Sequence, residues 1–128
     1  MYLSSAYNDY YCVDYNSSAN VPVLGECDYS YEWLFVPVNS SQNTYKLTLY
    51  VGQTNMCLEQ PSRSSDHLIV SWCDGAQNQT WKIAYRGPGN VLISYAGTGA
   101  CLDAPFGGSA VIAARACHYG TNQQWYNF

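Results

Sequence analysis

The chain has 128 residues, with 9 Asp and Glu against 5 Lys and Arg, for a net charge of −4. That excludes the basic stripe needed to displace counterions from nucleic-acid phosphates, and equally excludes docking on anionic lipid. At 48% apolar and 11% charged the chain is a folded protein rather than a disordered one, and at this length a single domain.

In chain order, Met1-Tyr2-Leu3-Ser4-Ser5 shows neither the basic nor the apolar stretch of a leader. Any secretion signal is therefore expected to be absent from this chain, and no run reaches the ~18 apolar residues of a membrane span. Three Cys-aliphatic-acid triplets follow, Cys12-Val13-Asp14, Cys57-Leu58-Glu59 and Cys101-Leu102-Asp103, spaced by 45 and 44 residues. Ten residues before each cysteine stands Tyr2, Leu47 or Val91, opening a strand-like stretch. A second cysteine comes 15, 16 and 16 residues later (Cys27, Cys73, Cys117), and a tryptophan 6, 8 and 8 residues after that (Trp33, Trp81, Trp125). The last two tryptophans close Gln-x-Trp triplets at Gln79 and Gln123; the first closes Tyr31-Glu32-Trp33.

Between these marks the texture is all-β. Residues 45–51, 68–72, 81–85 and 91–95 are β-branched and aromatic runs, and 39–43 and 86–90 read as hairpin loops. No stretch keeps a 3.6-residue apolar period. About four strands per copy predict a dozen short strands, and three units that cannot bury their faces alone close around a pseudo-threefold axis. The expected fold is a β-trefoil, with repeats at about 2–46, 47–90 and 91–128. The six cysteines and the abundance of Tyr (13 residues) place the chain in an oxidising compartment, so it is expected to be secreted.

Three copies of Cys-(Val/Leu)-(Asp/Glu), a second cysteine and Gln-x-Trp resemble the ricin B-chain-type lectins and the trefoil carbohydrate-binding modules attached to bacterial glycosidases. The resemblance runs from Tyr2 to Phe128 and is strongest over 117–125. It implies a trefoil and sugar binding. Six cysteines allow 15 pairings, and the repeat selects Cys12–Cys27, Cys57–Cys73 and Cys101–Cys117. The Cys-x₂-Cys spacing of a zinc site is missing, and neither metal nor cofactor is expected. The three tryptophans and the aliphatic residue of each triplet are expected in the core.

In the resembling lectins, sugar hydroxyls are met by the acid after Cys-x and by the Asn-Gln before x-Trp, and an aromatic two residues before the second cysteine covers the sugar ring. The chemistry suits these residues: a carboxylate accepts from two hydroxyls, and an amide donates to one while accepting from another. Carried over, the third repeat offers Asp103, Asn122 and Gln123, with His118 and Tyr119 in the same loop and Arg115 at the stacking position. Arg115 either stacks on the sugar or pairs with Asp103 and closes the site. Strand alternation is expected to turn Asp103 outward where Leu102 turns in. The second repeat offers Glu59, Asn78 and Gln79, with Ser71 for stacking and Trp72 on the opposite face. The first offers Asp14 and Tyr29, with Gly25 for stacking and no Asn-Gln. Each candidate also has a structural alternative: turn carboxylates for Asp14 and Asp103, loop-bracing amides for Gln79 and Gln123. The first-repeat tyrosines Tyr7, Tyr10, Tyr11, Tyr15, Tyr29 and Tyr31 are an interaction surface or ordinary strand residues.

No nucleophile elbow, zincin helix or phosphate loop appears, and His67 and His118 lie in different repeats, so no enzyme is expected. The expected partner is a glycan, of galactose type or another oligosaccharide, with no nucleic acid and no membrane insertion. A larger parent protein or an oligomer would supply avidity. The alternative is a degenerate trefoil that binds a protein, as a protease inhibitor or receptor-binding module does. Asn16, Asn39 and Asn78 head Asn-x-Ser/Thr sequons, which matter on a eukaryotic secretory route; a glycan on Asn78 would obstruct the second repeat's site.

Overall fold

The apolar runs alternate with turn residues at a spacing that leaves only short strands. A computed structural model describes residues 2–6, 8–61, 67–75, 77–104 and 111–127, and over these it shows twelve strands. The first four are β1 (Leu3–Ser5), β2 (Asn8–Asn16), β3 (Val21–Glu26) and β4 (Leu34–Asn39). The next four are β5 (Thr44–Val51), β6 (Thr54–Glu59), β7 (Ile69–Trp72) and β8 (Trp81–Gly87). The last are β9 (Asn90–Tyr95), β10 (Cys101–Asp103), β11 (Ala113–Arg115) and β12 (Trp125–Asn127).

Six of them make one antiparallel ladder in the order β1-β12-β9-β8-β5-β4. Three hairpins, β2–β3, β6–β7 and β10–β11, branch from β1, β5 and β9 respectively. This is the threefold plan of a β-trefoil. The hairpins also meet each other, since Val70 N–H donates to Asn20 O (2.8 Å) and Ile112 N–H to Pro22 O (2.9 Å). The loop at 39–43 contains a 3₁₀ turn, Ser40–Gln42, capped by Asn39 and closed by Asn43 in the left-handed region. The 86–90 turn joins β8 to β9 through Gly89 at φ 73°.

The core follows from alternation along the strands, with Val91, Ile93 and Tyr95 inward on β9 and Leu47 and Leu49 inward on β5. Val13, Leu58 and Leu102 are buried, as are Trp33, Trp81 and Trp125. Each indole N–H donates to the carbonyl of the triplet's aliphatic residue: Trp33 to Val13 (3.1 Å), Trp81 to Leu58 (3.0 Å), Trp125 to Leu102 (3.2 Å). A buried indole thus contributes its area without leaving a donor unpaired, which would cost about 1–3 kcal/mol. The same bond ties the last strand of each repeat to its second.

The disulfides are Cys12–Cys27, Cys57–Cys73 and Cys101–Cys117, the pairings expected from the repeat. Each closes a loop of 15 or 16 residues, worth about 3 kcal/mol in the chain-entropy account. Their local effect is to anchor the segment after each second cysteine beside the strand that carries the acid.

Candidate functional site

In the third repeat β10 ends on Asp103, and the Cys101–Cys117 bridge brings the loop 117–120 alongside it. The chain then enters a 3₁₀ turn, Thr121–Gln123, which aims two amides at the acid. Asn122 Nδ2 donates to Asp103 Oδ1 (3.1 Å), and Gln123 Nε2 donates to Oδ2 (2.8 Å). Asp103 is 4% exposed, which corrects the expectation of an outward carboxylate. The carboxylate is covered because β10 stops at Asp103 and the turn folds over its end, with Ala104 N–H donating to Asn122 O (2.9 Å).

Gln123 is fully buried and braces the loop from within. Its Nε2 also donates to Ala116 O (3.0 Å), while its Oε1 accepts from His118 N–H (2.8 Å) and Tyr119 N–H (3.2 Å). This is the loop-bracing alternative, and the same amide simultaneously holds the acid. His118 lies with Nε2 3.7 Å from Asp103 Oδ2, and its Nδ1 accepts from Gly120 N–H (3.0 Å). An accepting Nδ1 assigns the proton of the neutral ring to Nε2, the nitrogen that faces the acid. A Cβ on residue 120 would stand 2.8 Å from His118 Cε1, so glycine there lets the imidazole keep this position.

Tyr119 sits at φ 64° with its ring 55% exposed. Gln124 Nε2 donates to its carbonyl (2.8 Å), and Arg86 of the second repeat lies 5.8 Å from its ring centroid. The ring is therefore displayed by a braced backbone. Arg115 is exposed on β11, opposite Cys101 in the hairpin register.

The second repeat repeats half of this arrangement. Gln79, fully buried, donates to Glu59 Oε1 (2.9 Å) and Trp72 O (2.8 Å) and accepts from Asp74 N–H (3.0 Å). Asn78, however, makes no hydrogen bond to Glu59, and its Oδ1 is buried without a partner. Ser71 is half-buried, whereas Trp72 is 71% exposed. The sequence placed this indole on the face opposite Ser71, and its exposure accords with that.

The first repeat holds its acid differently. Tyr31 stands where the others have glutamine, and its backbone N–H donates to Asp14 Oδ1 (3.3 Å). Gly25, at the stacking position, lies against the acid: a Cβ there would be 2.7 Å from Asp14 Oδ2. Tyr29 is 81% exposed on the 3₁₀ turn Cys27–Tyr29 and makes no contact with Asp14 among the described interactions. A cleft of about 280 Å³ is lined by Asp9, Tyr10, Cys27 and Asp28, with none of the three triplet acids among its described lining residues. The neighbouring Glu26 carboxylate, and after it the charge of Asp28, holds the Tyr10 hydroxyl above the ordinary phenol value. Tyr15 and Tyr31 pack edge to face at 5.9 Å, and Tyr10 and Tyr11 at 5.5 Å; Tyr7 lies outside the described residues.

No group of His, Cys, Asp and Glu among the described residues has the arrangement of a metal site.

A family model described as the ricin-type β-trefoil lectin domain matches residues 1–125. Among solved structures the chain is similar to the designed threefold-symmetric protein ThreeFoil, at 22% identity and TM-score 0.76, over 99% of this chain and 97% of that one. It is also similar to SeviL bound to asialo-GM1 saccharide, at 16% identity and TM-score 0.71, over 99% and 94%. A third is the Polyporus squamosus lectin bound to a human-type influenza-binding epitope, at 20% identity and TM-score 0.75; the chain is covered over 97% but spans 46% of that lectin. No curated protein sequence matches the chain. At these identities the structural likenesses establish the trefoil, while the family match rests on the sequence across nearly all of its length, and the chain belongs to the ricin-type β-trefoil lectin family.

Proposed function

We propose that the domain binds a glycan at the third repeat, non-catalytically, with Asp103 as the central acceptor. The observation that carries this reading is the fixed carboxylate: both oxygens of Asp103 are held by neighbouring amides, and one of those amides, Gln123, also holds the backbone of the exposed Tyr119. Each carboxylate oxygen has two lone-pair sites and spends one on its amide, which leaves one each for sugar hydroxyls. Preorganised charge-assisted acceptors of this kind orient a ligand at little entropic cost. Tyr119 then covers a sugar's C–H face, His118 Nε2–H and Arg115 supply donors at the rim, and Asn122 and Gln123 act by holding the acid. Glu59, with Gln79 but without Asn78, is a weaker site, and Asp14 with Tyr29 weaker still.

A galactose-type sugar or another oligosaccharide is the expected ligand. A secreted setting, with avidity from an oligomer or a larger parent protein, fits the three disulfides and the shallow site. The test is a glycan array followed by titration of wild type and Asp103→Ala. Binding by the wild type that is weakened in the folded variant supports the reading. Undiminished binding by the variant moves the site elsewhere.

One observation favours the rival, a protein-binding trefoil. The outer face of β4 exposes Leu34, Val36 and Val38, where the corresponding positions of β8 are Lys82, Ala84 and Arg86. Residues 2–46 also carry Asp9, Asp14, Glu26, Asp28 and Glu32 against Lys46 alone. An apolar strand beside surplus negative charge suits a protein partner with basic residues at its rim. A chain that fails on every glycan yet retains a protein partner would establish this reading over the first.

A further inference from the structure

The three sequons are alike in sequence but not in structure. Asn16 ends β2 and Asn39 ends β4, and residues 16–18 and 39–41 are all exposed. In both, the asparagine Oδ1 accepts from the backbone N–H and the hydroxyl of the serine two residues on. The distances are 3.1 and 2.9 Å from Ser18 to Asn16, and 3.1 and 2.7 Å from Ser41 to Asn39. With Oδ1 so occupied, the amide nitrogen of each has no hydrogen-bond partner among the described residues.

Asn78 is held in the opposite way. Its carbonyl accepts from Gln60 N–H (3.0 Å), Thr80 N–H donates to Gln77 O (3.0 Å), and Ala96 N–H donates to Thr80 O (3.1 Å). The middle residue of this sequon, Gln79, is fully buried and bonded to Glu59, Trp72 and Asp74. The Asn78 Oδ1 is itself buried. Neither hydroxyl-to-amide bond of the other two sequons is formed here. Asn78 is itself half-buried, and opening Asn78-Gln79-Thr80 into an extended segment for a transferase would need the Gln79 brace, and with it the Glu59 contact, to come out of the core.

We propose that Asn16 and Asn39 are acceptor sites for N-linked glycans and that Asn78, despite its sequon, carries none in the folded protein. The co-reactant is an oligosaccharide carried on a lipid diphosphate, delivered by a transferase of the secretory route. The asparagine Nδ2 forms a bond to the sugar C1, the C1–O bond to the diphosphate breaks, the lipid diphosphate leaves with the electron pair, and Nδ2 gives up a proton. No redox change is involved. Both acceptors belong to the first repeat, so the third repeat's loop 117–123 keeps its own surface.

The experiment routes the full chain through a eukaryotic secretory host. The folded, secreted product is treated with peptide N-glycosidase, which turns each glycosylated asparagine into aspartate, and is then mapped by mass spectrometry. Conversion at 16 and 39 but not at 78 is expected. Asn16→Gln and Asn39→Gln should each remove one glycan, and Ser18→Ala and Ser41→Ala should do the same with the asparagine still present. An unmodified Asn16 or Asn39 in the secreted wild type overturns the proposal, and so does a glycan at Asn78 in the folded product.

Discussion

The first and third repeats place an aspartate at the same point of the same hairpin, yet different parts of the chain hold it. Asp103 is gripped by the side-chain amides of Asn122 and Gln123, whereas Asp14 accepts from the backbone N–H of Tyr31. A side-chain amide reaches two ways at once, so Gln123 braces the loop that displays Tyr119 while it orients the acid. A backbone donor does only the second. Gly25 lies against Asp14, while the third repeat carries exposed Tyr119 and Arg115. One scaffold thus holds its acid in two ways: buried and gripped by side-chain amides, or half-buried and met by a backbone N–H.

The largest test asks whether the two repeats really share a scaffold. Trp33→Ala and Trp125→Ala remove equivalent buried indoles, and each should cost about 3–5 kcal/mol. Chemical denaturation should show the two losses to be similar. A much smaller loss at Trp33 would mean that the first repeat is not built like the third.

Next in size is the acid. Asp103→Ala should weaken glycan binding by about ten- to a hundredfold, since a charged hydrogen-bond partner is worth about 1.5–3 kcal/mol. Because Asp103 is buried, the variant also leaves Asn122 Nδ2 without its acceptor and removes one of the two acceptors of Gln123 Nε2, and stability should fall by about 1–3 kcal/mol. Asp14→Ala should leave glycan binding unchanged. Equal effects from both variants, read by titration and thermal unfolding, would erase the distinction between the repeats.

The donors come third. Gln123→Ala takes away both the brace and the acid's partner, and should cost about 1–3 kcal/mol in stability along with most glycan binding. Tyr31→Ala keeps the N–H that Asp14 uses and should cost less than about 1 kcal/mol. A Tyr31 variant as damaging as the Gln123 variant would show that the tyrosine side chain, not its backbone, holds the first repeat together.

The smallest effect concerns stacking. Arg115→Trp puts an aromatic at the rim of the third repeat and should tighten binding by about three- to tenfold, the worth of a ring contact of about 0.5–1.5 kcal/mol. Gly25→Trp should create no new site, because its Cβ meets Asp14. Isothermal titration should accordingly count one tight site per chain for the wild type and for both variants. Two sites in the Gly25 variant would show that the first repeat lacks only its aromatic.

The period of the cysteines and tryptophans was enough to specify the trefoil, the three bridges and the buried indoles. A threefold fold repeats its contacts, so one consistent alignment of three copies constrains every strand at once, and the acids and amides were legible as candidates on the same grounds. The sequence could not decide which way they face. Whether Asp103 is buried, whether Gln79 and Gln123 face a ligand or the core, and why residue 25 must be glycine depend on where the segment after each second cysteine settles. That segment packs against a strand some twenty residues away, through bonds such as Gln123 to Asp103 and Gln79 to Glu59. Asn78 and Asn122 show the consequence: identical Asn-Gln pairs at identical offsets, one amide bonded to its acid and the other not. The Asn-Gln pair is the same in both while the acid is Glu59 in one and Asp103 in the other, and whether the asparagine reaches its acid is decided only by the tertiary structure.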